Sequence, residues 1–170
     1  MNRRAFLISS AAALTRTAFA APPPFNKRDR MLGWLAGNGS PNYTPAAFFL
    51  HFGDAYKAGS AAARRHLEFF RHTDMDFLKI QFEQTYARQE FLQKPADWAK
   101  LKLARLDFYE PLLQTVRELV KAEKKNSLIL MTLYSPFMSA GQCATTPVLL
   151  QHLEENPEAV KKGLEILIES

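Results

Sequence analysis

The sequence predicts an α/β fold assembled from βαβ units. Two observations carry that reading. The composition, 47% hydrophobic with 23% charged residues, is that of an ordinary globular chain with a packed core. From residue 27 onward, short apolar runs rich in Phe, Ile and Leu alternate with longer stretches of helical periodicity, the pattern of strands joined by crossover helices. At 170 residues the chain has room for one such domain.

Residues 1 to 21 have the three parts of an export signal. Arg3 and Arg4 form the charged start, Phe6 to Leu14 a short apolar stretch, and Ala18-Phe19-Ala20 a small-residue cleavage site. The apolar part is too short to span a bilayer, so no stable membrane span is expected. Paired arginines followed by Ala5, Phe6 and Leu7 resemble the twin-arginine motif, with Arg16 near the cleavage site, which predicts export to the periplasm; the alternative is an ordinary secretory signal or an uncleaved anchor. Residues 22 to 26, with Pro22 to Pro24, read as a proline-rich linker without regular structure.

The expected domain runs from 27 to 170. A short leading helix over 28 to 36 is closed by the turn formers Gly37, Asn38, Gly39, Ser40 and Pro41. Ala46 to Phe52 is the first expected strand. Ser60 is read as the cap of a helix whose Ala63, Leu67 and Phe70 share one face. Phe77 to Phe82 is the second strand. The segment from 84 to about 106 is polar and aromatic, and long loops in compact domains are usually functional. Pro111 is placed in the first turn of the clearest helix, ahead of the stripe Leu112, Val116, Leu119 and Val120; Lys121, Lys124 and Lys125 suit its C-terminus. Leu128 to Tyr134 is the third strand. Asn156 and Pro157 open a last helix with Val160, Leu164, Leu167 and Ile168 on one face, and no capping residue closes it before Ser170.

Charge excludes one class of partner. The formal charge is +5, but of the 22 Lys and Arg, Arg3, Arg4 and Arg16 fall in the expected signal, leaving 19 against 17 acidic residues. Those charges alternate in sign along the helices and form no basic stripe, so nucleic acid is excluded. Cys143 is the only cysteine, so folding rests on packing rather than on an internal disulfide.

Six phrases occur in order, FFLHFG, HLEFFRHTDMDFLKIQFE, KPADWAKL, DFYEPLLQTVRELVK, LILMTLYSPF and HLEENPEAVKKGLEILIES, and the resemblance they carry covers roughly residues 27 to 170. Together they resemble the uroporphyrinogen decarboxylase family in its broad sense, which also contains cobalamin- and coenzyme M-linked methyltransferases. The resemblance implies a TIM-type (β/α)8 barrel with its site at the C-terminal ends of the strands. Such barrels typically need about 250 residues, so about three βα units plus a leading helix amount to an N-terminal half.

Strand periodicity selects candidate site residues beside that resemblance, because alternate residues of a strand face opposite sides. In the second strand Leu78, Ile80 and Phe82 form the apolar set, leaving Lys79 and Gln81 on the other face, with Glu83 at the end. A buried Lys79 needs a partner or an anionic ligand. In the first strand His51 follows Ala47 and Phe49, and in the third Thr132 and Tyr134 follow Leu128 and Leu130, with Ser135 opening the loop. Each strand turns polar toward its C-terminal end, as a barrel active site requires and as a strand end meeting solvent also produces. His51, Lys79 and Glu83 are the catalytic candidates; Gln81, Thr132, Tyr134 and Ser135 are the substrate-binding candidates. His51 suits a general acid or base, or else a structural hydrogen bond. Glu83 suits protonation of a pyrrole-like or carbanionic centre, or else a surface carboxylate. His66 and His72 read as surface or capping residues, and Cys143 and His152 are too far apart in sequence to form a metal motif by themselves.

The departures from the family bear on the substrate. Its decarboxylases carry an arginine-rich phrase after the first strand, where this chain has HFGDAY, and an aspartate ending the second strand, where it has Phe82 and Glu83. The metal-binding positions of the methyltransferase branch would lie beyond Ser170. The implied reaction is decarboxylation of a polycarboxylated tetrapyrrole without an organic cofactor; the alternatives are methyl transfer to or from a cobalamin or thiol carrier, and a non-catalytic fragment. The implied partner is a tetrapyrrole or other small molecule. Open strand edges also predict self-association of half-barrels.

Overall fold

The computed structural model describes residues 26–170, and over these the chain is a mixed α/β structure. The expected signal over 1–21 and all but the last residue of the linker lie outside the described residues. Helix α1, Lys27–Gly33, begins where Asn26 Oδ1 accepts the N–H groups of Arg28 at 3.0 Å and Asp29 at 3.3 Å. A wider helical turn, Trp34–Asn38, ends it, and Gly37 supplies the left-handed backbone with φ of 85°. The leading helix and its glycine stop thus form as expected.

The expected first strand does not form. Ala46 to Phe52 forms no regular element and joins no sheet ladder. Its backbone groups are taken by the turn that precedes the first true strand: Ala46 N–H donates to Asp76 Oδ2 at 2.8 Å, Ala46 C=O accepts from Asp76 N–H at 3.0 Å, and Phe48 N–H points at Met75 Sδ. A side chain thus competes for the donor that a neighbouring strand would need. Asp76 also accepts from Tyr43 and Arg30, so one carboxylate fastens α1 and the 43–46 segment to the start of the sheet.

Helix α2, Gly59–Thr73, follows a short 3-10 turn at Asp54–Tyr56. Ser60 does not cap it: Ala58 stands at the cap, and Ser60 Oγ donates instead to Glu118 Oε1 at 2.5 Å on the neighbouring helix. Strands β1, Phe77–Ile80, and β2, Leu128–Met131, pair in parallel with Phe77 opposite Leu128 and Ile80 opposite Met131. Both are shorter than the sequence predicts. Helix α3, Leu106–Glu123, makes the crossover. It starts earlier than expected, so Pro111 lies inside it rather than in its first turn. There proline cannot donate to the Asp107 carbonyl four residues before it. The described residues therefore contain one complete βαβ unit, in place of about three βα units.

Packing follows periodicity. Ala63 and Phe70 of α2 and Leu119 of α3 bury against Leu78 and Ile80, with Val116, Ile129 and Met131 alongside. The opposite face of the sheet carries Lys79, Leu130 and Thr132, and Leu130 is 42% exposed. A second core gathers around Trp98, which a 3-10 turn, Pro95–Lys100, presents to three helices: α4, Pro136–Ala144; α5, Thr146–Glu155; and α6, Pro157–Glu169. Trp98 is fully buried and its indole N–H donates to His152 Nδ1 at 3.0 Å. The long 84–106 segment thus carries a packing anchor at its centre. Asn156 caps α6 as expected, its Oδ1 accepting from Ala159 N–H at 3.1 Å. Ile168 departs from the expected buried face and is 66% exposed. No helix among the described residues is long and apolar enough to cross a membrane.

Candidate functional site

The 46–52 segment still delivers His51 to the C-terminal edge of β1, although no ladder holds it. There His51 Nδ1 lies 2.9 Å from Glu83 Oε1 and 3.2 Å from Oε2. Glu83 stands three residues past β1, and the pair is asymmetric: the carboxylate side chain is 8% exposed and the imidazole 58%. A carboxylate against Nδ1 favours the proton on that nitrogen and leaves Nε2 to exchange protons with a ligand. The Phe49 ring meets His51 edge-on at 5.6 Å and restricts how the imidazole swings.

Lys79 projects from the middle of β1 onto the open face of the sheet. Its ammonium donates to Thr132 Oγ1, lies 3.5 Å from the Ile80 carbonyl and sits 5.7 Å from the Phe49 ring centre. Among the described residues no carboxylate pairs with it, and burial holds its pKa below the ordinary lysine value. Thr132 is tied in turn through its own N–H to the Ile80 carbonyl at 3.3 Å. Two catalytic candidates, His51 and Glu83, thus form one contact, and Lys79 with Thr132 forms another, with Phe49 touching both groups.

The remaining candidates fare differently. Gln81 is buried, its N–H donates to His66 Nε2 at 3.0 Å, and its side-chain amide reaches only the adjacent Phe82 carbonyl at 3.4 Å. Ser135 is occupied as the N-cap of α4, its Oγ accepting from Met138 N–H at 3.2 Å. Tyr134 packs edge-on against Phe82 with ring centres 5.4 Å apart. These two rings border a groove of about 440 Å³ between the strand ends, α3 and α6, whose walls include Tyr86, Tyr109, Leu133 and Leu167. Its size and its apolar, aromatic walls fall within the range of small-molecule sites. The Tyr86 and Tyr109 hydroxyls are 2.7 Å apart; burial, then the bond to Tyr109, pushes the Tyr86 phenol well above its usual range.

His66 corrects a sequence-based reading. It is not at the surface: it is 3% exposed, with Nδ1 2.8 Å from the Ala62 carbonyl. The signal was present, since position 66 lies three residues after Ala63 and four before Phe70, on the buried stripe of α2. His72, in the last turn of α2, is exposed as expected. Cys143 and His152 both lie in the core around α5, but His152 is engaged by Trp98 and burial pushes the Cys143 thiol up to about 11. Among the described residues no three His, Cys, Asp or Glu side chains are grouped to hold a metal ion.

Comparison with models of known families, with curated proteins and with solved structures yields no match.

Proposed function

We propose that the chain is the N-terminal portion of a uroporphyrinogen-decarboxylase-like TIM-type barrel, acting on a carboxylated cyclic small molecule of the tetrapyrrole class at the C-terminal edge of its strands. The observation that carries this reading is the His51–Glu83 contact past the end of β1, with Lys79 on the open face of the same strand and an aromatic groove between the strand ends, α3 and α6. Edges of this kind are where open and closed α/β sheets place their ligands. In this scheme the Lys79 ammonium, unpaired with any carboxylate among the described residues, attracts a substrate carboxylate. The ring carbon that accepts a proton receives it from His51, which Glu83 orients; the C–C bond to the departing carboxylate then breaks, its electron pair neutralises the protonated ring as an exocyclic methylene and carbon dioxide leaves; the methylene carbon takes a proton from water and the ring carbon returns its proton to His51. Phe82 and Tyr134 supply apolar aromatic walls to that groove.

Binding tests this directly. Titration of the 170-residue chain with uroporphyrin, followed by the Soret band, should saturate, and Lys79→Met should weaken it by about tenfold, the scale of one charge-assisted hydrogen bond. Equal affinity of the parent and Lys79→Met for the porphyrin sinks the assignment. Turnover of uroporphyrinogen itself is not expected of this chain, because HFGDAY lacks the family's arginines and Phe82 stands where the family places aspartate.

A second reading, a non-catalytic fragment stable only in an assembly, is favoured by one specific observation. Leu130 on the open face of the sheet is 42% exposed, with Leu133 just past β2 at 73% and Phe49 in the 46–52 segment at 58%, a cost that a monomer in water ordinarily avoids.

A further inference from the structure

The buried imidazole on α2 has both nitrogens committed. Nδ1 of His66 faces the Ala62 carbonyl at 2.8 Å, an oxygen that can only accept, so Nδ1 carries the hydrogen. Nε2 faces the Gln81 N–H at 3.0 Å, a group that can only donate, so Nε2 must present its lone pair. The two bonds together admit one state, the neutral ring protonated on Nδ1. An imidazolium would set N–H against N–H, and the Gln81 amide would lose its acceptor inside the protein.

What that bond holds is the exit of β1. The ladder ends at Ile80 opposite Met131, and Gln81 is the first residue beyond it. His66 Nε2 takes the place of a ladder carbonyl for the Gln81 N–H, two residues before the carboxylate that contacts His51. Phe52, the residue after His51, closes on the same imidazole edge-on at 4.9 Å, so His66 touches the residue that follows His51 and the one that stands two before Glu83.

We propose that neutral His66 is the positioning residue for the His51–Glu83 contact: it fixes the β1 exit through Gln81, and its protonation releases that exit. The proposal rests on reading His51 and Glu83 as the proton-transfer pair. The charged groups facing the ring are Glu83, which favours the proton, and Lys79, which opposes it. Arg65, on the same helix, lies over the Phe52 ring at 5.6 Å, and at the 3-10 turn packed on that helix Asp54 pairs with Lys57, just past the turn, at 2.7 Å. Burial, the largest influence, drives the His66 pKa below its usual value. A group with a depressed folded pKa contributes fully above the unfolded value and loses that contribution as pH falls through the folded one. Release therefore belongs below the ordinary histidine range.

NMR of the 170-residue chain tests this without any substrate. Long-range nitrogen correlations at neutral pH should show His66 as the neutral ring protonated on Nδ1. On acidification its protonation should coincide with movement of the Gln81 and Glu83 amide signals, and with about tenfold faster exchange of the Gln81 amide. His66→Gln retains an acceptor for Gln81 and cannot titrate, so in that variant the coincident changes should vanish while neutral-pH protection is kept. A Gln81 amide that stays still while His66 takes up its proton overturns the proposal. So do acid-induced changes in His66→Gln equal to those of the parent. Porphyrin binding is not read at any point, so loss of the functional assignment and loss of the positioning role are seen separately.

Discussion

Replacing Gly163 with alanine sets two effects against each other whose sum depends on the tertiary structure. Gly163 lies in the interior of α6, where a glycine costs about 1 kcal/mol relative to alanine, so helix propensity alone makes Gly163→Ala stabilising by that amount. The fold opposes it. A methyl carbon built on Gly163 would lie 2.6 Å from Cε3 and 3.0 Å from Cβ of Trp98. Trp98 is fully buried and bonded through its indole N–H to His152, so the ring cannot give way without moving α5 as well. Overpacking of that kind costs about 1–3 kcal/mol, which exceeds the propensity gain and leaves a net loss of up to about 2 kcal/mol. The matched control is Gly33→Ala at the end of α1, where the backbone is helical and nothing lies within 4 Å of the added carbon. That change should stabilise by about 0.5–1 kcal/mol. Thermal unfolding followed by far-ultraviolet circular dichroism reads both, at about 2–4 °C per kcal/mol for a chain of this size. Gly163→Ala should melt below the parent and Gly33→Ala slightly above it. If Gly163→Ala melts at or above the parent temperature, the close seating of α6 on Trp98 is wrong.

Four further outcomes follow from particular contacts. Burial pushes the Asp76 carboxyl up, but the Tyr43 hydroxyl, the Ala46 N–H, Arg30 and Lys27 outweigh it and hold its pKa below the usual range. Its contribution is then complete above about pH 4 and is lost as pH falls through the folded value, so Asp76→Asn should lower stability at pH 7 by about 1–3 kcal/mol and flatten the acid limb of the stability curve; an unchanged acid limb refutes the role. Cys143, buried and with its thiol raised to about 11, should resist a disulfide reagent at pH 8 until denaturant is added, and rapid labelling of the folded chain contradicts its place in the core. Sedimentation at low micromolar concentration should show self-association through the open sheet, reduced by Leu130→Lys with Leu133→Lys; a sharp monomer that unfolds cooperatively means the apolar face is covered in some other way. Replacing Arg3 and Arg4 with lysine should hold the precursor in the cytoplasm on cell fractionation, and undiminished delivery to the periplasm would end the twin-arginine reading.

Much of the fold is written in local signals, and those were legible. Asn156 followed by Pro157 starts α6, because capping and a fixed φ act within a few residues. The stripes Ala63, Leu67 and Phe70, and Leu112, Val116 and Leu119, identify the core faces of α2 and α3, since a periodicity of 3.6 needs no knowledge of the partner. The apolar runs at 77–80 and 128–131 form the sheet, and alternation along them places Lys79 and Thr132 on the face opposite the core.

Tertiary structure decided the matters that depend on a distant partner. Ala46 to Phe52 has the composition of a strand, but Asp76, thirty residues away, captures its first backbone donor, so it joins no ladder. Ser60 looks like a cap, yet the carboxylate of Glu118 offers its hydroxyl a better acceptor across the α2–α3 contact. Trp98 and Gly163 are sixty-five positions apart and become one close contact only when α6 docks. His66 joins Gln81, and His51 meets Glu83, by the same route. The sequence could nominate His51, Lys79 and Glu83 separately, because residue type and strand alternation are local properties. Which nitrogen faces which oxygen is a property of the folded chain, since hydrogen bonds between residues fifteen and thirty-two positions apart exist only after α2, β1 and the 46–52 segment have packed together.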